Sequence, residues 1–339
     1  MDGALCRPLG GSQLHPDLPV SRIGSPPGRC AACGGEEGRK LAAIDHITGE
    51  QFEVLVCSRC GLGRTDPAPD DLLRYYPIGY YGSGGIRFNP LVEAAIRTSR
   101  GARVAAVTRA HPAPGAVLDI GCGRGLMLSD LARRGWRTVG VEMSEAASRH
   151  AREVLGLDVR VGDLAGCEFP SASFDVVTLF HVLEHLPDPD AALAEARRVI
   201  TPDGRLLVEV PNFGSLQSQL TGGKGFHLDA PRHLFHFTRA ALLQLLGRAG
   251  FEPLGVATHS FEFGYFGMLQ SLLNLATLRQ NALYEMLKNR SARPPESLGR
   301  DVAATLTLIL PAGIVSLPLE AAAAAFGRGA VLRVLARPR

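Results

Sequence analysis

Four of the seven cysteines form two pairs with the spacing of metal ligands. The pairs are Cys30-Ala-Ala-Cys33-Gly and Cys57-Ser-Arg-Cys60-Gly, and 23 residues separate them. A CxxC turn points two thiolates at one position, and two such turns complete the tetrahedral site that Zn²⁺ prefers. Four sulfur ligands leave no position for water or substrate, so the pattern predicts a structural zinc rather than a catalytic one. Four thiols without a metal on a loop are the alternative.

A glycine-rich turn forms the second group of candidate residues, and it follows a short apolar run. From its first acid to its last glycine the turn reads Asp119-Ile-Gly121-Cys122-Gly123-Arg-Gly125. Glycines let the backbone approach a ligand closely before a helix begins. The turn alone is weak evidence, because nicotinamide and flavin enzymes use similar ones. Two further acids narrow the choice: Glu142 ends the next apolar run, and Asp163 follows the one after it.

Alternating elements must position these residues. From Val117 onward, apolar runs alternate with helical segments at roughly 20-residue spacing. The predicted strands are Val117–Ile120, Thr138–Glu142, Val159–Val161, Phe174–Leu179 and Arg205–Val210. The predicted helices are Leu126–Arg134, Glu145–Leu155, Asp190–Val199 and Thr238–Ala249. This alternation predicts an α/β fold with a parallel sheet covered on both faces, which binds ligands at the carboxyl ends of its strands.

The stretch from about Gly115 to His259 resembles the class I S-adenosylmethionine-dependent methyltransferases. The resemblance implies a Rossmann-like seven-stranded sheet, with a final strand at Ala330–Ala336. It also implies that Asp119 holds the methionine part of S-adenosylmethionine, that Glu142 binds the ribose hydroxyls and that Asp163 contacts the adenine amine. The other cofactor-binding residues implied are Gly121, Cys122, Gly123, Gly125, Met143, Leu164 and Phe180.

Histidines cluster after the fourth and fifth predicted strands. The segment Phe180-His181-Val-Leu-Glu184-His185 carries an EH pair that many small-molecule methyltransferases have at this place. A loop after strand five adds Arg232, His233 and His236. An imidazole that titrates near neutral pH suits proton removal from an acceptor. His233 is the first candidate base, and the candidate catalytic residues are His233, His181, His185 and Glu184. For each histidine, orientation or capping is the alternative, favoured for His185 and His236, and Arg232 is a candidate ligand for an anionic substrate group.

The amino-terminal pattern carries a second resemblance. The run from Cys57 to Pro67, followed by the Tyr75-Tyr76 and Tyr80-Tyr81 pairs, is similar to bacterial methyltransferases with an N-terminal zinc ribbon. Some of those enzymes act on nucleotide-linked sugars or on envelope and secondary metabolites. The resemblance therefore implies a small-molecule acceptor for this chain.

Composition bounds the function and the domain layout. The chain has 339 residues, 46% apolar, and a formal net charge of only +3, which argues against a nucleic-acid partner. An odd number of cysteines without a secretion signal favours a cytoplasmic setting. We divide the chain into a disordered lead-in (1–29), a zinc-ribbon-like module (30–65), a linker with N-terminal helices (66–110), the S-adenosylmethionine-binding core (111–259), an apolar helical insertion (260–329) and a last strand and tail (330–339).

The insertion before the last strand is unusually apolar. Val302–Leu319 contains no charge over 18 residues but is interrupted by Pro311 and Pro318. The prolines favour a re-entrant or interfacial hairpin, or a buried pair of helices, over a spanning helix. The segment 260–329 thus predicts peripheral membrane contact or, alternatively, core packing or a homodimer contact.

Taken together, the sequence predicts methyl transfer from S-adenosylmethionine to oxygen or carbon of a metabolite, a sugar nucleotide or a lipid-linked envelope precursor. Two alternatives remain at this point. One is an RNA-base methyltransferase whose zinc ribbon grips nucleic acid, although no strand-four NPPY-type motif is present. The other is a scaffold that binds S-adenosylmethionine without transferring its methyl group.

Overall fold

Two sheets organise the chain. The computed structural model describes residues 28–76, 88, 90–277, 279–288 and 299–339. The predicted lead-in, apart from its last two residues, and the Tyr80-Tyr81 pair lie outside the described residues. Within them, the strands are β1 (Glu37–Ile44), β2 (Gln51–Cys57), β3 (Gly63–Asp66), β4 (Ala116–Ile120), β5 (Arg137–Glu142), β6 (Asp158–Val161), β7 (Phe174–Phe180), β8 (Ile200–Pro211), β9 (Phe235–His236), β10 (Phe251–Ala257) and β11 (Val331–Pro338).

The larger sheet has seven strands in the order β10-β11-β8-β7-β4-β5-β6. Strands β4 to β8 run parallel to their neighbours in this group, and β11 is antiparallel to both β8 and β10. The central strands are buried on both faces, which explains why they read as continuous apolar runs. The predicted seven-stranded, Rossmann-like sheet is confirmed.

Helices cover this sheet and follow its strands. They are α1 (Pro90–Ala110), α2 (Leu126–Ala132), α3 (Glu145–Arg149), α4 (Pro189–Val199), α5 (Leu216–Thr221), α6 (Arg239–Arg248), α7 (Gly267–Ala276), α8 (Ala282–Leu287) and α9 (Gly299–Ala325). Ser144, Asp188 and Thr238 cap α3, α4 and α6 with side-chain oxygens, as residues of these types do. A π-helical turn at Phe261–Phe266 precedes α7.

The smaller sheet is the ribbon sheet, β1-β2-β3-β9, and all its pairs are antiparallel. Its fourth strand, β9, comes from the segment between β8 and α6, about 170 residues later in the chain than β3. The sequence analysis did not predict β9. The two-residue strand joins the cysteine-bearing module to the loop that carries Arg232, His233 and His236.

The insertion differs from the predicted hairpin or buried helical pair. Residues 299–325 form one continuous helix, α9, with Pro311 and Pro318 inside it. The two prolines are exposed and lie two turns apart on the same side of the helix. An internal proline removes one backbone hydrogen bond and can kink a helix without ending it. Reading each proline as a helix end was therefore wrong. By length and composition, Arg300–Ala325 is the one candidate membrane span among the described residues, with a mean hydropathy of 2.0 and 11% of its most apolar window buried.

Candidate active site

The cofactor cluster (Asp119, Gly121, Gly123 and Glu142) lies at the carboxyl ends of β4 and β5. Gly121 has a φ of +69°, and a Cβ there would lie 2.3 Å from Cγ2 of Val182. Gly123 also has a positive φ, of +55°, but a Cβ there would meet nothing within 4 Å. The first glycine is therefore required by packing as well as by backbone conformation. Gly123 borders open space beside the turn.

Glu142 fixes the shape of the turn. Its two carboxylate oxygens accept hydrogen bonds from the backbone N–H of Gly123 and of Ser144, each at 2.8 Å. One side chain at the end of β5 thereby joins the turn after β4 to the cap of α3. Met143, the next residue, is half exposed. Glu142 thus has a structural role in this conformation in addition to the ribose-binding role that the resemblance implies.

Asp119 is buried at the end of β4. The Thr178 hydroxyl donates a hydrogen bond to Asp119 Oδ1 at 2.6 Å. Burial raises the pKa of Asp119 from 3.8 to about 7, although the bond from Thr178 and the charge of Arg103 act in the opposite direction. A buried acid with a pKa this high marks a place where a polar or cationic ligand would be stabilising.

The remaining residues implied for cofactor binding surround this cluster. Asp163 is exposed, and its Oδ1 accepts a hydrogen bond from the Gly166 N–H at 2.6 Å. Leu164 and Phe180 are buried, and the Cys122 thiol is half-buried. Arg103 of α1 lies 5.3 Å from the centroid of the Phe180 ring. The sequence analysis did not single out Arg103, because no motif marks a cation in the helix before the first strand of the core.

The histidine cluster (His181, Glu184, His185, Glu209 and His233) lies beside it, around the carboxyl end of β7. His181 adopts a φ of +57°, which is uncommon for a residue with a side chain and is often found at functional sites. Its Nε2 lies 3.0 Å from Glu209 Oε1, and its Nδ1 lies 3.4 Å from Glu184 Oε1. Burial alone would lower the pKa of His181, but these two carboxylates outweigh it and raise the pKa. The two carboxylates therefore favour the charged form of His181.

Glu209 was missed by sequence reasoning. It lies within the apolar run of β8 and is almost fully buried. Arg333 pairs with it from β11, and Arg103 Nη2 lies 3.5 Å from its Oε1. Burial raises the pKa of Glu209, but the interactions with His181 and the two arginines outweigh it and hold the pKa near 2. The sequence did carry one signal for Glu209, because a single acidic residue within an otherwise apolar strand is unusual.

His185 and His233 are held by backbone carbonyls. His185 Nδ1 lies 2.8 Å from the Arg232 carbonyl oxygen, and His233 Nδ1 lies 3.0 Å from the His227 carbonyl oxygen. The two rings meet edge to face at 4.7 Å between centroids. Burial lowers the pKa of His233 to about 4, assisted by the charge of His185, so His233 is neutral at physiological pH.

Arg232 has no opening to a substrate, and its predicted role as an anion ligand is wrong. Its side chain is fully buried and pairs with Asp45 and Asp229, each at 2.7 Å. Asp45 follows β1 of the ribbon sheet, so this pair fastens the ribbon to the loop of the core. The sequence did not reveal the pair with Asp45 because that residue is almost 190 positions from Arg232, whereas Asp229 is an i,i+3 neighbour.

The ribbon also holds the main chain around His233. The Thr65 hydroxyl donates to the His233 carbonyl at 2.7 Å and contacts His236 Nε2 at 3.0 Å. The Leu234 N–H in turn donates to the Glu184 carbonyl at 2.8 Å. His236 is thereby held between the two sheets, in agreement with the structural role favoured for it.

The four predicted zinc ligands come together at the end of the ribbon. Their Sγ atoms all lie within 4.8 Å of one another, with Cys30–Cys60 at 3.4 Å and Cys33–Cys57 at 3.5 Å. Sulfurs around a tetrahedral Zn²⁺ would be about 3.8 Å apart, given Zn–S bonds of about 2.3 Å. Backbone N–H groups of Gly35 and Arg59 point at Cys33 Sγ and Cys57 Sγ. The donor set fits a structural zinc with small adjustments.

The cysteine site docks directly on the core. The Thr238 hydroxyl donates to the Cys60 carbonyl at 2.6 Å. Arg248 of α6 donates to the carbonyls of Ala31 and Ala32 at 2.6 and 2.7 Å. The ribbon therefore rests on both ends of α6 rather than standing apart from the core.

Comparison with known proteins finds a partial match to one family. Residues 95–256 match the sequence model of a family described as "Methyltransferase domain". A Mycolicibacterium smegmatis protein named "Probable S-adenosylmethionine-dependent methyltransferase" is 38% identical over 143 residues, which are 40% of this chain and 51% of the relative. A ubiquinone biosynthesis O-methyltransferase of Alkalilimnicola ehrlichii is 38% identical over 104 residues, 28% of this chain and 41% of the relative.

The chain thus matches about half, or less, of the length of these relatives. Among solved structures, a SAM dependent methyltransferase from Archaeoglobus fulgidus is similar to this chain with a TM-score of 0.44 and 20% identity. The match covers 73% of this chain and 98% of that one.

Proposed function

Because residues 95–256 match the model of a methyltransferase domain family, we propose that this chain transfers the methyl group of S-adenosylmethionine to a small-molecule acceptor. One observation carries the proposal: the cofactor cluster and the histidine cluster follow β4 and β7, which are neighbours in the sheet. Sheets of this kind bind their ligands at that edge. The relatives' names mention S-adenosylmethionine and an O-methyltransferase reaction, which agrees with it.

The residues of the cofactor cluster fit the cofactor. Open space at the Cβ position of Gly123 would admit a ligand against the backbone. The Asp119 carboxylate, whose burial disfavours its charge, would be stabilised by the positive charge of the aminopropyl end. Glu142 would hold the ribose hydroxyls and Asp163 the adenine amine. When bound, the cofactor supplies an activated methyl group on a sulfonium.

The histidine cluster would bind and orient the acceptor. His181 lies between Glu184 and Glu209, which favour its charged form, and it would orient an acceptor oxygen rather than remove its proton. His233 is neutral, and its Nδ1 is engaged by a carbonyl, so its Nε2 retains a lone pair that can accept a proton. The fixed geometry of these groups would lower the barrier chiefly by alignment.

The surface of α9 supports a lipid-borne acceptor. Polar side chains of this helix, Thr305, Ser316 and Glu320, are buried, whereas Leu306 and Leu310 and their apolar neighbours are between 47% and 72% exposed. This distribution of buried polar and exposed apolar side chains is the opposite of that on a helix of a water-soluble domain. It matches helices that pack their polar groups inward and face lipid. We propose that α9 lies in the membrane interface.

The ends of α9 indicate how it would meet the bilayer. Its carboxyl end leads within six residues into β11, inside the seven-stranded sheet, so the helix stays against the domain. Exposed Arg300 and Arg328 flank it and would meet anionic headgroups. Tyr265 donates a hydrogen bond to the Gly313 carbonyl, and Phe263 of the same π-helical turn stacks on His181 at 4.0 Å. Tyr265 and Phe263 of one π-helical turn therefore connect α9 to His181 of the histidine cluster.

The test is methyl transfer from radiolabelled S-adenosylmethionine into an extract of the source cells, with the products separated into lipid, small polar and nucleic-acid fractions. Label in the lipid fraction is the expected result. Label in the small polar fraction would retain the small-molecule assignment but remove the membrane role. Label in RNA, or binding of S-adenosylmethionine without transfer to any fraction, would overturn the proposed function in favour of the RNA-base enzyme or the scaffold.

A further inference from the structure

A second set of metal-ligand types lies outside the cysteine site. One carboxylate oxygen of Glu184 and one nitrogen each of His185 and His233 lie within 4.8 Å of one another. Donor atoms around a divalent ion with bonds of about 2.1 Å lie roughly 3.0–3.5 Å apart. The distances between the three donor atoms would therefore have to shorten by about 1 Å for all three to bind one metal ion. They come from two segments that the backbone bond from Leu234 to Glu184 already holds together.

The two imidazoles are oriented as metal ligands usually are. A carbonyl oxygen accepts hydrogen bonds and never donates them, so the contacts to the Arg232 and His227 carbonyls place the ring proton of His185 and of His233 on Nδ1. Each Nε2 is then unprotonated. Histidines that bind metals commonly donate their other nitrogen to a carbonyl in this way, which fixes both the tautomer and the ring.

The Glu184 carboxylate supplies an independent argument. It is 1% exposed, and among the described residues neither of its oxygens accepts a hydrogen bond. His181 Nδ1 lies 3.4 Å from Oε1, so this oxygen already faces a group that favours its charge, whereas within the described part of the chain no such contact is found for Oε2. A buried carboxylate with unsatisfied oxygens is strongly unfavourable unless a charge compensates it. A divalent cation between Glu184 and the two imidazoles would do so.

We propose that Glu184, His185 and His233 bind a divalent transition-metal ion, of which Zn²⁺ is the one to test first. Two imidazoles and one carboxylate suit Zn²⁺, Fe²⁺ or Mn²⁺ better than Mg²⁺ or Ca²⁺, which prefer oxygen ligands. Three protein ligands leave at least one position open, unlike the closed cysteine site. The site is thus suited to a ligand oxygen from water or from substrate.

The role of this site in the reaction rests on the proposed function. An acceptor hydroxyl bound at the open position would lose its proton to water more readily, because the ion stabilises the alkoxide. The oxygen would then form a bond to the methyl carbon, while the carbon–sulfur bond breaks and its electron pair stays on sulfur. His233 would act as a metal ligand here, and this role would replace the role as a base that the sequence analysis and the proposed function give to it.

Metal content tests the site directly. Bound metal would be removed from the full-length protein with a chelator. The protein would then be reloaded with Zn²⁺ and desalted, and its zinc content would be measured by inductively coupled plasma mass spectrometry. We expect two zinc ions per chain in the wild type and one in E184Q. The matched control is E209Q, which also removes a buried carboxylate that contacts His181 but should keep two ions.

Cobalt identifies which site is filled. Co²⁺ bound by thiolates gives intense sulfur-to-metal charge-transfer bands, and Co²⁺ bound by nitrogen and oxygen gives only weak d–d bands. E184Q should lose the weak bands and keep the intense ones, which also shows that its ribbon is folded. One ion per wild-type chain with the thiolate signature alone, or two ions in E184Q, would overturn the metal proposal.

Methyl transfer then separates the two proposals. A wild-type protein with two ions but no label in any acceptor fraction would retain the metal site and reject the proposed function. Transfer that proceeds at the full rate in a protein carrying only the ribbon zinc would reject the metal site and retain the proposed function. Loss of transfer in a protein that keeps the ribbon zinc but lacks the second ion, with recovery on adding Zn²⁺, supports both.

Discussion

The cofactor cluster and the histidine cluster are neighbours, but the chain builds them differently. The cofactor cluster comes from residues 119–142, one strand-turn-helix-strand unit, and its shape depends on glycine backbone and on hydrogen bonds to Glu142. The histidine cluster combines β7, β8 and the loop before β9, and β3 of the ribbon sheet holds that loop. The difference teaches that a short local motif is enough to shape the proposed cofactor site, whereas the proposed acceptor site depends on long-range packing.

The largest expected effect is in the cofactor cluster. G121A places a Cβ 2.3 Å from Val182 at a positive φ, so the turn must move. We expect the affinity for S-adenosylmethionine to fall about 100-fold or more, from a strain of roughly 3 kcal/mol. Isothermal titration calorimetry measures it. G123A is the matched control, because it has a similar φ but open space, and it should weaken binding less. Equal losses in the two variants would contradict the role of the contact with Val182.

A pair of carboxylate variants separates binding from transfer. E142Q removes the charge that organises the turn and should raise the Kd of S-adenosylmethionine about 10-fold or more. E184Q should leave that Kd nearly unchanged and reduce turnover about 100-fold. Calorimetry and a radiolabel assay measure the two quantities. If E184Q weakened cofactor binding as much as E142Q does, the two clusters would not be functionally distinct.

Removal of thiolates from the proposed zinc site should affect the histidine cluster alone. C57S/C60S removes two of the four thiolates, and the ribbon then no longer fixes the main chain of His233 through Thr65. We expect turnover to fall about 10-fold or more, because small displacements of positioning groups are costly. The Kd of S-adenosylmethionine should change less than about 3-fold, since the cofactor cluster does not contact the ribbon. A parallel loss of affinity would show that the ribbon supports the whole domain.

The acids of the two clusters should respond to pH with opposite sign. The pKa of Asp119 is raised to about 7 by burial, so its native state keeps a proton that the unfolded chain loses above pH 3.8, and stability falls between those values. The pKa of Glu209 is held near 2 by His181 and two arginines despite its burial, so its contribution to stability is present above pH 4.5 and is lost as the pH falls toward 2.

Thermal unfolding of the protein without cofactor checks these signs. At pH 8, D119N should melt higher than the wild type and E209Q lower, each by roughly 3–6 °C. The gain in D119N should vanish by pH 4, whereas the loss in E209Q should shrink only as the pH approaches 2. A D119N variant that melts lower than the wild type at pH 8 would contradict the assignment for Asp119.

The smallest effect on stability is expected at α9. L306S/L310S changes two exposed side chains and should shift the free energy of unfolding by less than about 1 kcal/mol. It should nevertheless reduce co-sedimentation with vesicles of phosphatidylglycerol and phosphatidylcholine. The wild-type protein could instead fail to co-sediment with vesicles and form a dimer that the same variant disrupts. That result would assign the exposed face of α9 to contact with a second copy of the chain.

Sequence reasoning predicted the features that depend on residues close together in the chain. Asp119, the glycines and Glu142 share a spacing that the strand-turn-helix geometry imposes, and the CxxC pairs place their thiolates through single turns. Reasoning failed at Arg232, which looked like an anion ligand because its partner Asp45 is far away in the chain. It failed at Pro311 and Pro318 for another reason: an internal proline removes one backbone hydrogen bond and can kink a helix without ending it, and the local sequence does not show which of the two happens.

The sequence by itself determined the seven-stranded α/β core, the glycine turn and the four cysteines, because each follows from periodicity or from fixed short spacing. Only the tertiary structure decided that β9 joins the ribbon sheet, that Glu209 holds His181, and that Glu184, His185 and His233 share one place. It also decided which side of α9 is exposed. These features depend on pairs of residues that the chain brings together across long separations, and no periodicity along the sequence encodes such pairs.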